Sequence, residues 1–260
     1  GIIPKTDALD RAHRGVRGDL GEAAEAFRQL RTNLRFVDVD HAPRRIVITS
    51  ALAGEGKSTV SANLARLVAQ AGADRVLLID ADLRRPMIAN TFEIDGEVGL
   101  TQVLAGDVEV QDALVDSGLP GLMLLPAGRI PPNPSELLGS HRMKQLIDVL
   151  ARDYLVILDA PPLLPVTDAG LVSVFCDGAL LVQAIGKTAI DQSQHCRRIL
   201  DQVGARLLGV VLNKAPLKGV GAIAYGDGYG TYGGYAAYKA EAATAEAYSS
   251  AGKGRRRRKG

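Results

Sequence analysis

The apolar positions of this chain form short continuous runs of strand length. Six of these runs occupy residues 44–51, 75–80, 121–127, 154–160, 178–185 and 207–213. Segments with helical patterns separate the runs. Strands that are apolar on both faces are typical of parallel sheets, because helices cover both sides of such a sheet. The pattern therefore predicts an α/β fold, with a mostly parallel β-sheet and helices on both faces.

Helical patterns occur before and between these runs. The apolar positions of residues 20–36 lie roughly on one stripe: Leu20, Ala24, Phe27, Leu30 and Leu34. This spacing predicts an amphipathic helix, and a second helix is expected over about residues 57–71. Residues 133–136 read N-P-S-E, which predicts a helix start. Asn133 is expected as the N-cap and Glu136 as its partner in a capping box.

The two ends of the chain differ in composition from its middle. Residues 1–19 are polar, with Gly and Arg, and we interpret them as a linker. Residues 219–234 hold seven glycines in sixteen positions. We therefore predict a folded domain over 20–215 and a flexible tail over 216–260. Six of the seven tyrosines belong to this tail: Tyr225, Tyr229, Tyr232, Tyr235, Tyr238 and Tyr248.

Composition and charge narrow the class of protein. Hydrophobic residues make up 47% of the 260 positions. The sequence has no stretch of about 18 apolar residues, so no transmembrane helix is predicted within it. The net charge is +2, yet residues 252–260 carry six positive charges and the remaining 251 carry 25 basic and 29 acidic groups. This distribution argues against a nucleic-acid-binding domain. Cys176 and Cys196 lack the spacing of a metal site and are expected to be reduced, buried thiols.

A phosphate-binding loop is predicted between the first run and the helix after it. Residues 51–59 read A-L-A-G-E-G-K-S-T, which matches the P-loop (Walker A) pattern except that alanine replaces the first glycine. Gly54 and Gly56 let backbone N–H groups surround a phosphate, and the helix start adds its positive dipole end. Lys57 is expected to reach the β- and γ-phosphates, and Ser58 to bind Mg²⁺. The predicted nucleotide-binding residues are Ala53, Gly54, Glu55, Gly56, Lys57, Ser58, Thr59 and Asn213.

Three carboxylates end two of the apolar runs. Asp80 and Asp82 follow one run, and Asp159 ends another. Ligands of parallel sheets bind at the carboxyl ends of the strands, so all three are expected to face the phosphates. One carboxylate suffices to hold Mg²⁺ through water, and an additional one is what phosphoryl transfer to a hydroxyl requires. The alternative for Asp80 and Asp82 is capping of the turn that follows the strand.

Several motifs occur together in this chain. They are Asp80-Ala-Asp82-Leu-Arg-Arg-Pro86, Asp159-Ala-Pro161-Pro162, Glu25-x-x-Arg28-x-x-Arg31 and the tyrosine-rich tail. In this combination the chain resembles the bacterial tyrosine kinases that control capsule and exopolysaccharide synthesis, over about residues 22–213 and the tail. The resemblance implies a P-loop NTPase fold and a protein-tyrosine autokinase that uses ATP and Mg²⁺.

The resemblance also implies roles for single residues. Asp80 would activate the incoming tyrosine hydroxyl, and Asp82 and Asp159 would order the Mg²⁺ shell together with Ser58. The family often has proline where Ala53 stands, so the loop is expected to be slightly looser here without loss of activity. Arg84, Arg85 and Asn213 are candidates for contacts with phosphate or adenine, or else ordinary helix-surface and turn residues.

An assembly is implied in the same way. By resemblance, Glu25, Arg28 and Arg31 would contact a neighbouring subunit in a closed homo-oligomeric ring. The alternative is a solvated helix face with one weak ion pair. The acceptors would be tail tyrosines of a neighbouring subunit: Tyr225, Tyr229, Tyr232, Tyr235 and Tyr238.

A location at the inner face of the cell membrane is expected. Residues 1–7, GIIPKTD, resemble the segment that follows the last membrane helix in single-chain family members. Because the first residue is Gly1 rather than Met, we expect the chain to be part of a longer one. The activating membrane segment would lie on the same or a separate chain. Residues 255–259 would contact anionic lipid, or form a solvated end or cloning remnant.

Two rival functions share this fold. A partition- or septum-type ATPase switch, regulated by a partner protein, carries an additional lysine early in its loop, where this chain has Leu52. A non-catalytic adaptor would keep a nucleotide site only to stabilise an assembly. The tyrosine tail and the intact motifs favour the kinase over both.

Overall fold

The computed structural model describes residues 1–6, 9, 20–21, 23–38, 40–72 and 74–216. Within these residues the strands are β1 (Ile2–Pro4), β2 (Arg45–Ser50), β3 (Val76–Asp80), β4 (Val115–Asp116), β5 (Leu122–Leu125), β6 (Leu155–Asp159), β7 (Gly178–Ala184) and β8 (Leu207–Ala215). They form one eight-stranded sheet in the order β1-β8-β7-β2-β6-β3-β5-β4. Every neighbouring pair is parallel except β4 with β5. The predicted mostly parallel sheet is confirmed.

Helices cover both faces of this sheet. In the same part of the chain they are α1 (Ala23–Phe36), α2 (Lys57–Gln70), α3 (Ile88–Phe92), α4 (Leu100–Ala105), α5 (Val110–Ala113), α6 (Pro134–Leu138), α7 (His141–Asp153), α8 (Asp168–Ser173) and α9 (Ile190–Gln202). One core lies between the sheet and helices α1 and α2, and a second lies between the sheet and helices α7, α8 and α9. Successive residues of β3 alternate between them, since Leu77 enters the second core and Leu78 the first. This double burial explains the continuous apolar runs.

The order of the strands brings the predicted motifs to one edge of the sheet. Strand β2 lies between β7 and β6, and β3 lies on the far side of β6. Asp80 and Asp159 are register partners at the carboxyl ends of β3 and β6. The loop over residues 51–56 leaves the carboxyl end of β2 at the same edge. In open α/β sheets this edge is where ligands bind.

The linker predicted for residues 1–19 is wrong at its start. Ile2–Pro4 form β1, which pairs in parallel with β8. The Leu212 N–H donates to the Gly1 carbonyl at 2.8 Å, and the Lys5 N–H donates to the Ala215 carbonyl at 2.8 Å. Three residues ending in proline are too short a run for strand periodicity to appear in the sequence.

The predicted capping box at residues 133–136 is also wrong in detail. Helix α6 does begin at Pro134 with Asn133 as its N-cap, but the Asn133 side chain makes no capping bond. Its amide donates instead to the Glu136 carboxylate at 2.6 Å. Proline at the first helical position therefore fixes this helix start without the expected reciprocal bonds.

The structure describes the cysteines and the predicted helices but not the tail. Cys196 is buried and Cys176 half-buried, and neither forms a disulfide. Among the described helices, none combines the length and apolar character needed to cross a membrane. The tyrosine cluster and residues 255–259 lie outside the described residues, so the predictions about them stay predictions.

Candidate functional site

The predicted phosphate-binding loop joins β2 directly to α2. Gly54 and Gly56 have φ angles of 77° and 94°, in the left-handed region that favours glycine. Gly56 is the N-cap of α2, and no side chain of the described residues caps it. The first N–H groups of a helix lack partners within the helix, so this start offers donors and a positive dipole end to an anion. Ser58 and Thr59 are buried in its first turn.

Lys57 joins the loop to two of the predicted carboxylates. Its Nζ lies 2.8 Å from Asp82 Oδ2 and 3.5 Å from Asp159 Oδ2. The same ammonium donates to Ser58 Oγ at 3.3 Å. Side chains from the loop after β3, the end of β6 and the start of α2 therefore converge on one cation at the carboxyl edge of the sheet.

The electrostatics of this cluster follow from burial. Burial favours the neutral amine, but the charges of Asp159 and Asp82 outweigh it and raise the pKa of Lys57. Burial raises the pKa of Asp159, against the opposing effects of Lys57 and the Ser58 hydroxyl. Such a desolvated group of mutually dependent charges is typical of functional sites.

Ser61 is a site residue that the sequence analysis missed. Its Oγ bonds Asp159 Oδ1 at 3.0 Å and donates to the Lys57 carbonyl at 2.9 Å. It thereby fixes the orientation of the Asp159 carboxylate. The available signal was its position four residues after Lys57, which places both on one face of α2.

Asp80 lies in the same cluster but is held differently. One oxygen accepts the Asp82 N–H at 3.2 Å, and the other accepts the N–H groups of Met87 and Ile88 at 2.9 and 2.8 Å. Asp80 thus caps the turn after β3 and the start of α3. This is the capping role that the sequence analysis gave as the alternative to a catalytic one. Burial and the charge of Asp159 nevertheless raise the pKa of Asp80 to about 7. A carboxyl group that titrates near neutral pH can accept a proton at neutral pH.

The residues present fit a magnesium ion bound mainly through water and phosphate. Within the described part of the chain, Asp159 Oδ2 is buried and accepts no hydrogen bond, although the Lys57 ammonium lies 3.5 Å away. The described residues contain no group of three or more His, Cys, Asp or Glu side chains able to enclose a metal. Mg²⁺ in phosphate sites keeps several waters and takes one or two carboxylates plus substrate oxygens. Asp159, Asp82 and Ser58 supply what such a site needs from the protein.

Arg84 does not face this cluster. Its guanidinium bonds Asp168 through Nε at 2.8 Å and Nη2 at 3.1 Å, and bonds Ser135 Oγ at 3.0 Å. Ser135 also donates to Asp168 at 2.7 Å. Burial works against ionisation, but these bonds prevail and lower the pKa of Asp168. Arg84 therefore ties the loop after β3 to α6 and α8, while the exposed side chain of Arg85 has no such bond among the described contacts.

We expect Arg84→Met to destabilise the fold. Asp168 is fully buried, and losing its guanidinium partner leaves a carboxylate incompletely bonded, which costs about 1–3 kcal/mol. Urea denaturation monitored by circular dichroism measures this change in the free energy of unfolding. The control is Arg129→Met, whose exposed pair with Glu97 spans 3.7 Å and contributes about 0–1 kcal/mol. Equal losses in both variants would contradict the assignment.

The remaining predicted residues lie in two other places. Asn213 does reach the loop, but its amide donates to the Glu55 carbonyl at 2.8 Å and its oxygen accepts the Lys214 N–H at 2.9 Å. Glu25 and Arg28 form an ion pair of 2.8 Å on α1. Arg31 donates to the Leu67 carbonyl at 3.2 Å. In the structure, the motif on α1 therefore lies apart from the charged cluster around Lys57.

The sequence of this chain is similar to those of known nucleotide-binding proteins and tyrosine kinases. Residues 46–219 match the family described as the CobQ/CobB/MinD/ParA nucleotide binding domain. The chain is 43% identical over 191 residues to the tyrosine-protein kinase YwqD of Bacillus subtilis, covering 73% of this chain and 80% of that protein. It is 37% identical over 212 residues to the tyrosine-protein kinase CpsD of Streptococcus agalactiae, covering 80% and 89%.

Solved structures of two protein classes also resemble this chain. The kinase domain of the Escherichia coli tyrosine kinase ETK superposes with a TM-score of 0.73 at 35% identity, covering 82% of this chain and 88% of that domain. The septum site-determining protein MinD of Pyrococcus horikoshii, complexed with Mg-ADP, gives 0.56 at 27% identity, covering 65% and 69%. The P-loop fold is common to both, and the greater similarity is to the kinase domain.

Proposed function

This chain belongs to the bacterial tyrosine-protein kinases, and from that premise we propose that it transfers the γ-phosphate of ATP to tyrosines of its own C-terminal segment. The observation that carries the proposal is the position of Lys57 between Asp82 and Asp159 at the end of the phosphate-binding loop. A P-loop lysine reaches the β- and γ-phosphates. Lys57 would exchange its carboxylate partners for these oxygens when ATP binds.

The cofactors of this reaction would be ATP and Mg²⁺. The N–H groups of the loop and of the first turn of α2 would hold the phosphates. Ser58, Asp82 and Asp159 would hold the magnesium ion, which neutralises charge on the β- and γ-phosphates when bound. Leu52 occupies the position at which septum-type switches carry a second lysine. That difference favours the kinase over the switch.

Asp80 would act on the acceptor. The tyrosine oxygen forms a bond to the γ-phosphorus, while the bond between this phosphorus and the β–γ bridging oxygen breaks and ADP leaves. The phenolic proton passes to Asp80, whose pKa of about 7 suits proton transfer near neutral pH. Its bonds to the N–H groups of Met87 and Ile88 would fix its orientation during the transfer.

We propose that the reaction runs between subunits of a ring. The side chains of Glu25 and Arg28 are about half exposed on α1, so a neighbouring subunit can reach them. From Asn213 to Tyr225 the chain can span at most about 40 Å, at about 3.3 Å per residue. That reach allows the tail of one subunit to enter the site of the next.

Replacing Glu25, Arg28 and Arg31 together by alanine is expected to give a folded monomer that still binds ATP. The three side chains would otherwise contact the adjacent subunit of a closed ring. Multi-angle light scattering gives the assembly size, and calorimetry gives the ATP affinity. The matched control is Arg197→Ala with Asp201→Ala, which removes an exposed ion pair of α9 and leaves the assembly intact. A triple variant that keeps its large assembly would exclude this surface.

Changing five tail tyrosines to phenylalanine is expected to remove most of the phosphotyrosine signal. The positions are Tyr225, Tyr229, Tyr232, Tyr235 and Tyr238. Each phosphate adds about −1.5 to −2 charges, so a fully modified tail would be expelled from a site lined by carboxylates. The variant should therefore remain a ring after incubation with Mg-ATP, whereas the parent dissociates.

Anti-phosphotyrosine blotting and light scattering on the same samples test both statements. A parent protein that shows no phosphotyrosine after incubation with Mg-ATP would contradict the proposed autokinase. If the five-tyrosine variant instead dissociates on ATP addition, the proposed kinase activity is not contradicted, but the charge of the phosphorylated tail is excluded as the cause of ring dissociation.

In the cell, this cycle would control the synthesis and export of capsule or exopolysaccharide. A membrane activator segment, on the same or a separate chain, would hold the kinase at the inner face of the membrane. The resemblance of its motifs and tail to the polysaccharide-regulating kinases supports this role.

A further inference from the structure

Side chains from two distant strand ends hold the outer side of the phosphate-binding loop. The carbonyl groups of residues 53–55 each accept one hydrogen bond from such a side chain. The donors, in the same order, are Lys187 Nζ, Lys214 Nζ and Asn213 Nδ2, each at 2.8 Å. We call these three residues the loop brace. Lys187 follows β7, and the other two lie in β8.

The geometry of the peptide bond gives these contacts a consequence inside the loop. In a trans peptide the carbonyl and the N–H of the next residue point to opposite sides of the chain. Holding the carbonyls of residues 53–55 outward therefore holds the N–H groups of residues 54–56 inward. Those N–H groups are the ones with which a P-loop surrounds phosphate.

The side chain of Glu55 makes further bonds that hold the phosphate-binding loop. This residue is fully buried, and its carboxylate accepts the Leu52 N–H at 2.7 Å. Its other oxygen bonds the Thr188 hydroxyl, which also accepts the Ala184 N–H at 3.1 Å. A buried acidic side chain beside a site for anions is costly unless it is bonded. These bonds join the loop to the end of β7 as well as to the brace.

The contact between the loop and the brace leaves no spare room. A Cβ at Gly56 would lie 2.2 Å from the amide nitrogen of Asn213. Lys214 has a φ of 60°, an unusual conformation for a residue with a side chain. Backbone strain of this kind persists only where the surrounding contacts over-determine it.

We propose that Lys187, Asn213 and Lys214 are positioning residues that hold the loop in its phosphate-binding shape before the nucleotide arrives. The inference rests on the proposed nucleotide site and assigns these residues to the loop carbonyls rather than to the adenine or the phosphates. Donors fixed in advance stabilise charge without reorganisation during binding. Two positive charges on the outer side also polarise the peptide groups toward stronger donation on the inner side.

The first test measures the loop without any ligand. Hydrogen–deuterium exchange of the peptide that spans residues 51–58 is compared between the parent and the double variant Lys187→Met, Lys214→Met. We expect faster exchange in this peptide and unchanged exchange in α7. Lys144→Met, a lysine paired with Asp148 on α7, is the matched control and should leave the loop peptide unchanged. Unchanged loop exchange in the double variant would overturn the proposal.

The second test uses inorganic tripolyphosphate with Mg²⁺, a ligand that has no base. Calorimetry should show about tenfold weaker binding by the double variant, as expected when two exposed charge-assisted hydrogen bonds are lost. Asn213→Leu should also weaken tripolyphosphate binding, although it carries no charge to lose. Lys187→Arg keeps a cationic donor and should bind within about twofold of the parent.

The outcomes separate the brace from other roles. An Asn213→Leu variant that loses ADP affinity but binds tripolyphosphate normally would make Asn213 an adenine contact and contradict the brace. Lysine variants that bind more weakly but show normal loop exchange would make the lysines direct phosphate contacts. Neither measurement requires phosphate transfer, so a protein without kinase activity could still confirm the brace.

Discussion

Lys57→Met is expected to lower autophosphorylation by about 10²–10³-fold, the effect of removing one preorganised charge or donor from a transition state. Methionine keeps the length of the side chain and removes the ammonium that would neutralise the transferring phosphoryl group. The rate of phosphotyrosine formation at saturating Mg-ATP measures this loss. Lys144→Met, which removes a lysine of similar charge from α7, should retain the parent rate.

The same substitution should also change stability. Without Lys57 the buried carboxylates of Asp82 and Asp159 face each other with no cation between them. Breaking a buried ion pair by removing one partner costs about 3–5 kcal/mol. Mg²⁺ should restore part of this loss, because it offers the carboxylates another cation. A Lys57→Met variant that keeps full autophosphorylation would contradict the role of this lysine.

Asp80→Asn is expected to reduce kcat by about 10²–10⁴-fold, the usual contribution of a general base. Asparagine occupies the same volume and retains one acceptor oxygen, so the turn after β3 keeps part of its capping. Nucleotide affinity should change by only a few-fold, because both oxygens of Asp80 accept backbone N–H groups and its proposed role is toward the acceptor tyrosine. An equal loss of ATP binding and phosphorylation would remove Asp80 from the role of hydroxyl activator.

The pH profile of the parent enzyme provides an independent check on Asp80. Its pKa of about 7 means that the carboxyl group is protonated below this pH and cannot accept the tyrosine proton. The value of kcat/KM, which reports ionisations of the free enzyme, should therefore fall about tenfold for each unit below pH 7. The slope should vanish in Asp80→Asn. A parent profile that is flat between pH 5.5 and 7.5, an interval from about 1.5 units below that pKa to about half a unit above it, would exclude this base.

The sequence revealed the centre of the site because its residues stand at the ends of recognisable patterns. Asp80 and Asp159 end continuous apolar runs, and the loop motif connects such a run to a helix. Parallel pairing then brings strand ends together regardless of their separation along the chain. The placement of Lys57, Asp82 and Asp159 could be predicted for this reason.

Other residues carried no such pattern. Lys187 and Lys214 lie more than 130 positions after the loop that they contact, and single lysines in turns are common. Asp168 stands at the start of a six-residue helix, where an acidic residue suggests helix capping rather than a partner for Arg84. Asn213 was predicted to be a nucleotide contact or a turn residue. Its side-chain amide bonds the Glu55 carbonyl and the Lys214 N–H, two contacts that no sequence pattern indicated.

The short strands at the two edges of the sheet affect the tendency of this protein to aggregate. Within the described residues the outermost strands are β1 and β4, of three and two residues, and β1 ends in Pro4, which has no N–H to offer. A sheet margin with little unpaired backbone is a poor template for adding a foreign strand. Copies brought to high local concentration would therefore meet through helices and side chains and resist growth into fibrils.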